Sequence, residues 1–153
     1  MAVIRDVANV KARRGSGYPP QYAAACERRI KQALGDVGGL TQFGVNLVTL
    51  EPGVSSSLRH WHRVEDEFIY VLQGELVLVT DAGEELLTAG MAAGFPANEP
   101  NGHHLVNRGT RTATYLEVGT RSGDEEVIYS DVDMMLERRD GVSRQLHKSG
   151  EPY

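Results

Sequence analysis

From Gln42 to Val118 the chain reads as a series of short apolar, β-branched segments divided by turn signals. Gln42 to Leu50 comes first, and Pro52-Gly53 ends it. Glu67 to Leu72 turns at Gln73-Gly74, Glu75 to Thr80 turns at Asp81-Ala-Gly83, and Glu84 to Thr88 runs to Gly90. Ala92 to Pro96, His103 to Asn107 and Thr112 to Val118 complete the series. Turn signals at this spacing predict an all-β fold, a sandwich or barrel of antiparallel strands.

The flanks are less regular. Residues 1–40 are weakly patterned, with a Gly/Pro loop over Arg13 to Pro20. Ala23 to Leu34 reads as a short helix cut off by Gly35 and the Gly38-Gly39 pair. Asp124 to Tyr153 is polar, with one candidate strand at Val127-Ile-Tyr129. No internal repeat, low-complexity tract or linker divides the 153 residues. The expectation is one domain: an N-terminal extension over 1–40, a barrel over 41–120, and a C-terminal strand and tail over 121–153 that pack on the barrel or on a neighbour.

Composition narrows the function. Lysine and arginine number 16 against 21 acidic residues, a net charge of −5. Nucleic acid is therefore not an expected partner, because phosphate binding needs a basic patch. Cys26 is the single cysteine, so no intrachain disulfide forms, and it reads as an unremarkable free thiol. There is no basic start followed by an apolar run, and no stretch approaches the ~18 apolar residues of a membrane span. These features predict a soluble, cytoplasmic protein with no membrane partner.

The chemistry concentrates in Ser57-Leu-Arg-His60-Trp-His62-Arg-Val-Glu-Asp-Glu67 and in Gly102-His103-His-Leu-Val-Asn107. Side chains alternate along a strand, so His60 and His62 point the same way and Trp61 points the other way, into packing. Glu67 shares a face with Ile69 and Val71, while Phe68, Tyr70 and Leu72 share the opposite one. A carboxylate aligned with Ile and Val is expensive to bury unless a cation compensates it. Three imidazoles and a carboxylate converging from one face make a site for a divalent transition metal. His103 or His104 supplies the third imidazole, since only one of them faces inward. The spacing His-x-His-x4-Glu-x6-Gly arises by chance on the order of once in a thousand such chains.

These residues resemble the first motif of the cupin superfamily: Gly53, His60-x-His62, four residues, Glu67, six residues, Gly74. Gly90, Pro96, His103 and Asn107 fit the pieces of the second motif. The resemblance covers roughly residues 41–119. It implies a double-stranded β-helix, or jelly-roll barrel, in which His60, His62, Glu67 and His103 bind one divalent transition metal per chain. The three residues before Asn107 select His103 over His104. Two departures stand out. Gly53 leaves six residues before His60 where the family usually has five. Pro-x-Gly is here Pro96-Ala-Asn98, and the loop Asn98 to Gly102 is two residues longer than usual. Asn adopts the left-handed conformation that Gly provides, so the turn is expected to survive.

The donor set suits Fe, Mn, Co, Ni, Cu or Zn. Binding needs neutral imidazoles, so affinity is expected to fall as pH drops through about 6.5. Tyr115 and Glu117 share one face of their strand and are the candidate catalytic groups if that face is inward. Arg59 and Arg108 flank ligand strands and are candidates for an anionic substrate, with surface or packing roles as the alternative. His147 reads as solvent-exposed, and Asp124-Glu-Glu126 as a solvated turn. The resemblance implies a metal-dependent enzyme on a small metabolite, of dioxygenase or sugar isomerase/epimerase type. The alternatives are a non-catalytic module that binds or senses a small molecule in the barrel, and a purely structural metal site. A C2 homodimer is expected, because the extension and tail are long for a free-standing barrel.

Overall fold

A computed structural model describes all 153 residues. Thirteen strands, paired antiparallel throughout, make three sheets. In chain order they are β1 (Ala12–Arg14), β2 (Ile30–Ala33), β3 (Phe43–Leu50), β4 (His60–His62) and β5 (Glu67–Gln73). There follow β6 (Glu75–Thr80), β7 (Gly83–Thr88), β8 (Ala92–Phe95), β9 (His104–Val106) and β10 (Ala113–Thr120). The last three are β11 (Glu125–Tyr129), β12 (Met135–Arg139) and β13 (Val142–Leu146). One wall is a six-stranded sheet in the order β1-β2-β3-β10-β5-β8. Facing it are a four-stranded sheet, β13-β12-β11-β4, and a three-stranded one, β7-β6-β9. The last two meet where His60 and His103 exchange both backbone hydrogen bonds, at 3.1 and 2.9 Å.

The alternation read along β5 is what builds the interior. Ile69 and Val71 are buried, whereas Phe68, Tyr70 and Leu72 stand exposed on the outer face. Val48 and Leu50 of β3, Leu76 and Leu78 of β6, and Tyr115 of β10 join them in one core of eleven residues. Each such side chain contributes about 1.5–3 kcal/mol when removed from water. Two motif residues fix turns beside this core. Gly74 has φ 78°, and a Cβ there would lie 2.9 Å from Cα of Ala113, so only glycine fits. Asn107 is fully buried; its amide donates to the carbonyls of Leu50 and Arg111 at 2.8 Å, and its side-chain oxygen accepts from Gly109 N–H. Asn98 has φ 60°, so it does take the conformation of the missing glycine.

The flanks differ from expectation. Ala23 to Leu34 is not a helix. Pro20–Cys26 forms 3₁₀ turns, Ile30–Ala33 is β2, and the only α-helix is the single turn Leu34–Val37. Pairing with β3 supplies β2 with a full ladder, and this tertiary gain overrides a weak local propensity. The N-terminal segment is thus not wholly irregular: β1 and β2 extend the six-stranded sheet. Gln32 ties it down further by donating to the carbonyls of Val7 and Val10, both at 2.8 Å. The polar C-terminal tail is likewise a hairpin, β12-β13, paired onto β11. Its turn is Asp140-Gly141 with φ 49° and 77°, the two positive values of a type I′ hairpin. No helix is long and apolar enough to cross a membrane.

Candidate metal centre

His60 and His62 leave β4 on the inner face, and Glu67 opens β5 opposite them. Between them, Arg63-Val-Glu-Asp66 reverses the chain. Each residue of that reversal is pinned from outside. The Glu125 carboxylate accepts the N–H groups of Arg63 (3.0 Å), Val64 (3.1 Å) and Glu65 (2.7 Å), and that of Glu126 (2.7 Å). Glu65 accepts from Ser122 N–H and the Arg138 guanidinium, both at 2.6 Å. Asp66 accepts from Ala97 N–H at 2.7 Å, and its own N–H donates to the Thr120 hydroxyl at 2.8 Å. The result brings three imidazole nitrogens around one carboxylate oxygen. Nε2 of His103, His62 and His60 lies 3.2, 3.4 and 3.8 Å from Oε2 of Glu67. Donor atoms of His60, His62 and Glu67 all fall within 4.8 Å of one another, and His103 joins them through Glu67.

These residues suit a metal ion on two counts. Ligand bonds of about 2.0–2.2 Å put neighbouring donors roughly 3.0 Å apart in octahedral and roughly 3.4 Å apart in tetrahedral coordination. The three separations from Glu67 Oε2 need only small adjustments. The His60 ring is also oriented for it: Nδ1 lies 2.9 Å from the Leu58 carbonyl, which can only accept, so Nδ1 donates there and Nε2 is turned toward Glu67. His103 lies flat against Phe95, with centroids 3.7 Å apart and planes at 4°, which fixes its ring. His104 turns away to the Ser57 carbonyl at 2.9 Å.

A cupin-domain family model matches residues 46–119. A crystal structure of a sugar phosphate isomerase of the cupin superfamily from Silicibacter pomeroyi is 49% identical, with a TM-score of 0.93 over 97% of this chain and 94% of that one. The chain belongs to the cupin superfamily. A candidate sugar phosphate isomerase from Acidithiobacillus ferrooxidans is 30% identical to this cupin, with a TM-score of 0.75 over 82% of this chain and 80% of that one. A polyketide cyclase from Streptomyces resistomycificus is 27% identical, with a TM-score of 0.64 over 78% and 80%. No curated protein matches the chain.

A cavity of about 340 Å³ adjoins the cluster, lined by the ligand residues and by the inner faces of β3 and β10. Tyr115 and Glu117 both face it, as their shared strand face requires. The Glu117 carboxylate is held through Oε1, which accepts from Lys31 Nζ and from Asn46 Nδ2 at 3.0 Å. Oε2 has no protein partner. Lys31 comes from β2, which sequence reasoning missed by taking that segment as a helix.

Other expectations need correction. Arg59 and Arg108 are not free for an anion. Arg59 pairs with Asp81 and, at 2.6 Å, with Asp131; Arg108 clasps Glu84 through two bonds of 2.6 Å on the surface. Asp124-Glu-Glu126 is not a solvated turn, because Glu125 is 0% exposed and anchors the ligand loop. Only its position beside a β-rich segment hinted at this, since Val127 and Tyr129 alternate with it toward the core. His147 is half-buried, bonded to Asp133 at 2.9 Å and stacked on Tyr153. Trp61 faces away from the cluster as expected, with the Arg63 guanidinium 5.7 Å from its ring. Cys26 is buried, which pushes its thiol up.

The charges are arranged around His62. Burial alone would lower its pKa, but Glu125 and Glu67, on either side of the ring, outweigh burial and raise it to about 9. Its Nδ1 lies 3.7 Å from Glu125 Oε2, close enough for attraction and too long for a hydrogen bond. Burial would raise the Glu67 carboxyl, yet His103, His60 and His62 together hold it well below the usual carboxylate range. Burial lowers His103. The two carboxylates thus favour the protonated form of the His62 ring. A divalent ion needs the neutral ring and must expel that proton. Metal loading at pH 7.5 is therefore expected to release close to one proton per ion, and affinity to keep rising with pH to about 9 rather than levelling near 6.5. Titration calorimetry in two buffers of different ionisation enthalpy reads the proton count directly. A count of zero would overturn this account.

Proposed function

We propose that this cupin is a metal-dependent isomerase acting on a sugar phosphate. The observation that carries the proposal is the Glu117 carboxylate in the cavity wall, fixed through one oxygen and bare at the other. Support also comes from the Silicibacter pomeroyi isomerase at 49% identity. The charge of the cavity points the same way. Arg29, Lys31, Arg121 and Arg138 line it, against Glu65, Asp66, Glu67 and Glu117. The lining charges cancel, and a bound divalent ion would add positive charge beside them, which a phosphate monoester of about −2 would complement.

Aldose–ketose isomerisation breaks the C2–H bond, forms a C1–H bond and shifts one proton from the C2 oxygen to the C1 oxygen. No oxidant or reductant is consumed. Glu117 Oε2 takes the carbon-bound proton from one position and returns it to the next. Lys31 and Asn46 keep the carboxylate in place while it does so. Tyr115 lines the same wall, and burial pushes its phenol well above the usual value, so it stays a hydrogen-bond donor at neutral pH. A divalent ion held by His60, His62, Glu67 and His103 would polarise a sugar oxygen and stabilise the charge that develops there.

Glu117→Gln keeps the shape and removes the base. It is expected to lower kcat by about 10²–10⁴ while metal content stays at the wild-type level. The assay converts a panel of aldose phosphates to ketose phosphates with the metal-loaded protein. Absence of turnover across that panel, with metal fully bound, would reject the isomerase and favour the binding module.

A further inference from the structure

The four cations of the cavity are not equivalent. Lys31 pairs with Glu117, Arg121 with Asp36, and Arg138 with Glu65 at 2.6 Å. Arg29 pairs with no carboxylate. Its guanidinium donates from Nη1 to the Ser56 carbonyl at 2.6 Å and from Nη2 to the Gly15 carbonyl at 2.8 Å. Its Nε is buried with no acceptor at all. Carbonyl oxygens satisfy hydrogens but bring no net charge. The neighbours do not supply one either: burial pushes up both the Tyr18 phenol and the Cys26 thiol, which therefore stay neutral. A half-buried cation without a counter-charge is costly, and an anion in the cavity offsets that cost.

We infer that Arg29 is the anion anchor of this cavity and receives the phosphate group of the substrate, an inference that rests on the sugar phosphate reading above. The location agrees. Arg29 holds the Ser56 carbonyl, and the next residue, Ser57, places its hydroxyl 3.2 Å from Nδ1 of the ligand His60. The anchor and the metal cluster are therefore joined by the two-residue segment Ser56-Ser57. Tyr18, Ser56, Ser57 and Tyr115 offer hydroxyls along the same wall, suited to the remaining phosphate oxygens. Arg29 lies just before β2, so the N-terminal segment strapped across the barrel delivers the one cavity cation that no carboxylate balances.

The test uses metal-loaded protein and inorganic phosphate as probe. Arg29→Gln is expected to weaken phosphate binding about tenfold to a hundredfold and to raise KM for an aldose phosphate in step, with metal content unchanged. Arg29→Lys keeps the charge and is expected to recover most of that loss. Arg108→Gln is expected to leave phosphate affinity within about twofold, since Arg108 lies outside the cavity in an exposed pair with Glu84. Because Arg29 also holds two carbonyls, a measurement on the wild type stands beside the variants. Modification of arginines by a dicarbonyl reagent, mapped by mass spectrometry, is expected to be slowed by phosphate at Arg29 and not at Arg121 or Arg138. Undiminished phosphate affinity in Arg29→Gln, or protection at Arg121 or Arg138 instead, would overturn the anchor while leaving the isomerase reading intact. A wild type that binds neither phosphate nor any sugar phosphate would remove that reading and the anchor with it.

Discussion

Glu125→Ala is expected to destabilise the fold by about 3–5 kcal/mol and to lower Tm by about 10 °C. Four backbone N–H groups lose their acceptor together, three of them consecutive residues of the loop between β4 and β5. A buried donor left without a partner costs about 1–3 kcal/mol, and entry of water recovers part of the sum. The loop carries no metal ligand itself, yet it sets the approach of His62 to Glu67. The same variant is therefore expected to weaken metal binding about tenfold to a hundredfold, as loss of an outer-shell partner does. Thermal and denaturant unfolding of metal-free protein, compared with Glu84→Ala, would check it. Glu84 is part of an exposed pair, and its loss is expected to leave the midpoint unchanged. The sign with pH follows from the shift of Glu125. Burial would raise its carboxyl, but His62 and the amides hold it below the ordinary value. Its contribution is thus present above the unfolded carboxylate value of about 4.3 and is lost as pH falls through the folded one. A Glu125→Ala protein as stable as wild type would refute the role assigned to the carboxylate.

What the sequence disclosed, it disclosed where one periodicity had no competitor. Along β5 the alternation of Ile69 and Val71 with Phe68, Tyr70 and Leu72 admits one register, because a slip of one residue would expose the core face. The same alternation set His60 and His62 on one side and Tyr115 with Glu117 on one face of β10, and the structure turns that face into the cavity. His103 was separable from His104 only through its distance to Asn107, and that residue proves to matter through its three turn hydrogen bonds rather than through chemistry.

Elsewhere the sequence was silent because the deciding partner lies far along the chain. Ile30-Lys-Gln-Ala has no strong strand signature and becomes β2 only because β3 offers a ladder. Close approach there needs Gly35, whose Cβ would sit 2.8 Å from Val45 N. Lys31 and Arg29 reach the cavity by that route, so neither was legible. Arg59 and Arg108 looked available because sequence spacing says nothing of Asp131 or Glu84, 72 and 24 residues away. Asp140-Gly141 was a readable hairpin signal, hidden by the polarity of two strands that bury no residue fully.

His62→Ala is expected to purify with less than about a tenth of the wild-type metal. His62 does more than supply one of four donors. Its ring lies between Nε2 on the Glu67 side, 3.4 Å away, and Nδ1 on the Glu125 side, 3.7 Å away. Without the ring, two carboxylates keep their charge and lose the group that separates them. A divalent ion would then meet a three-donor site with one wall missing, and the hole left by the imidazole would admit water in place of a held ligand. The metal-free protein is expected to suffer as well, because Glu67 and Glu125 both lose the ring whose protonated form they favour. Two readouts follow. Elemental analysis gives the metal content. Thermal unfolding gives the linkage: an ion at 1,000 times its Kd stabilises the wild type by about 4 kcal/mol, and the same concentration is expected to leave His62→Ala unmoved. Trp61→Phe is the neighbouring control, on the same strand but the opposite face, and is expected to keep its metal. Full metal occupancy in His62→Ala, or an undiminished thermal response to the ion, would mean that the three nitrogens around Glu67 are a packing arrangement and not a metal centre.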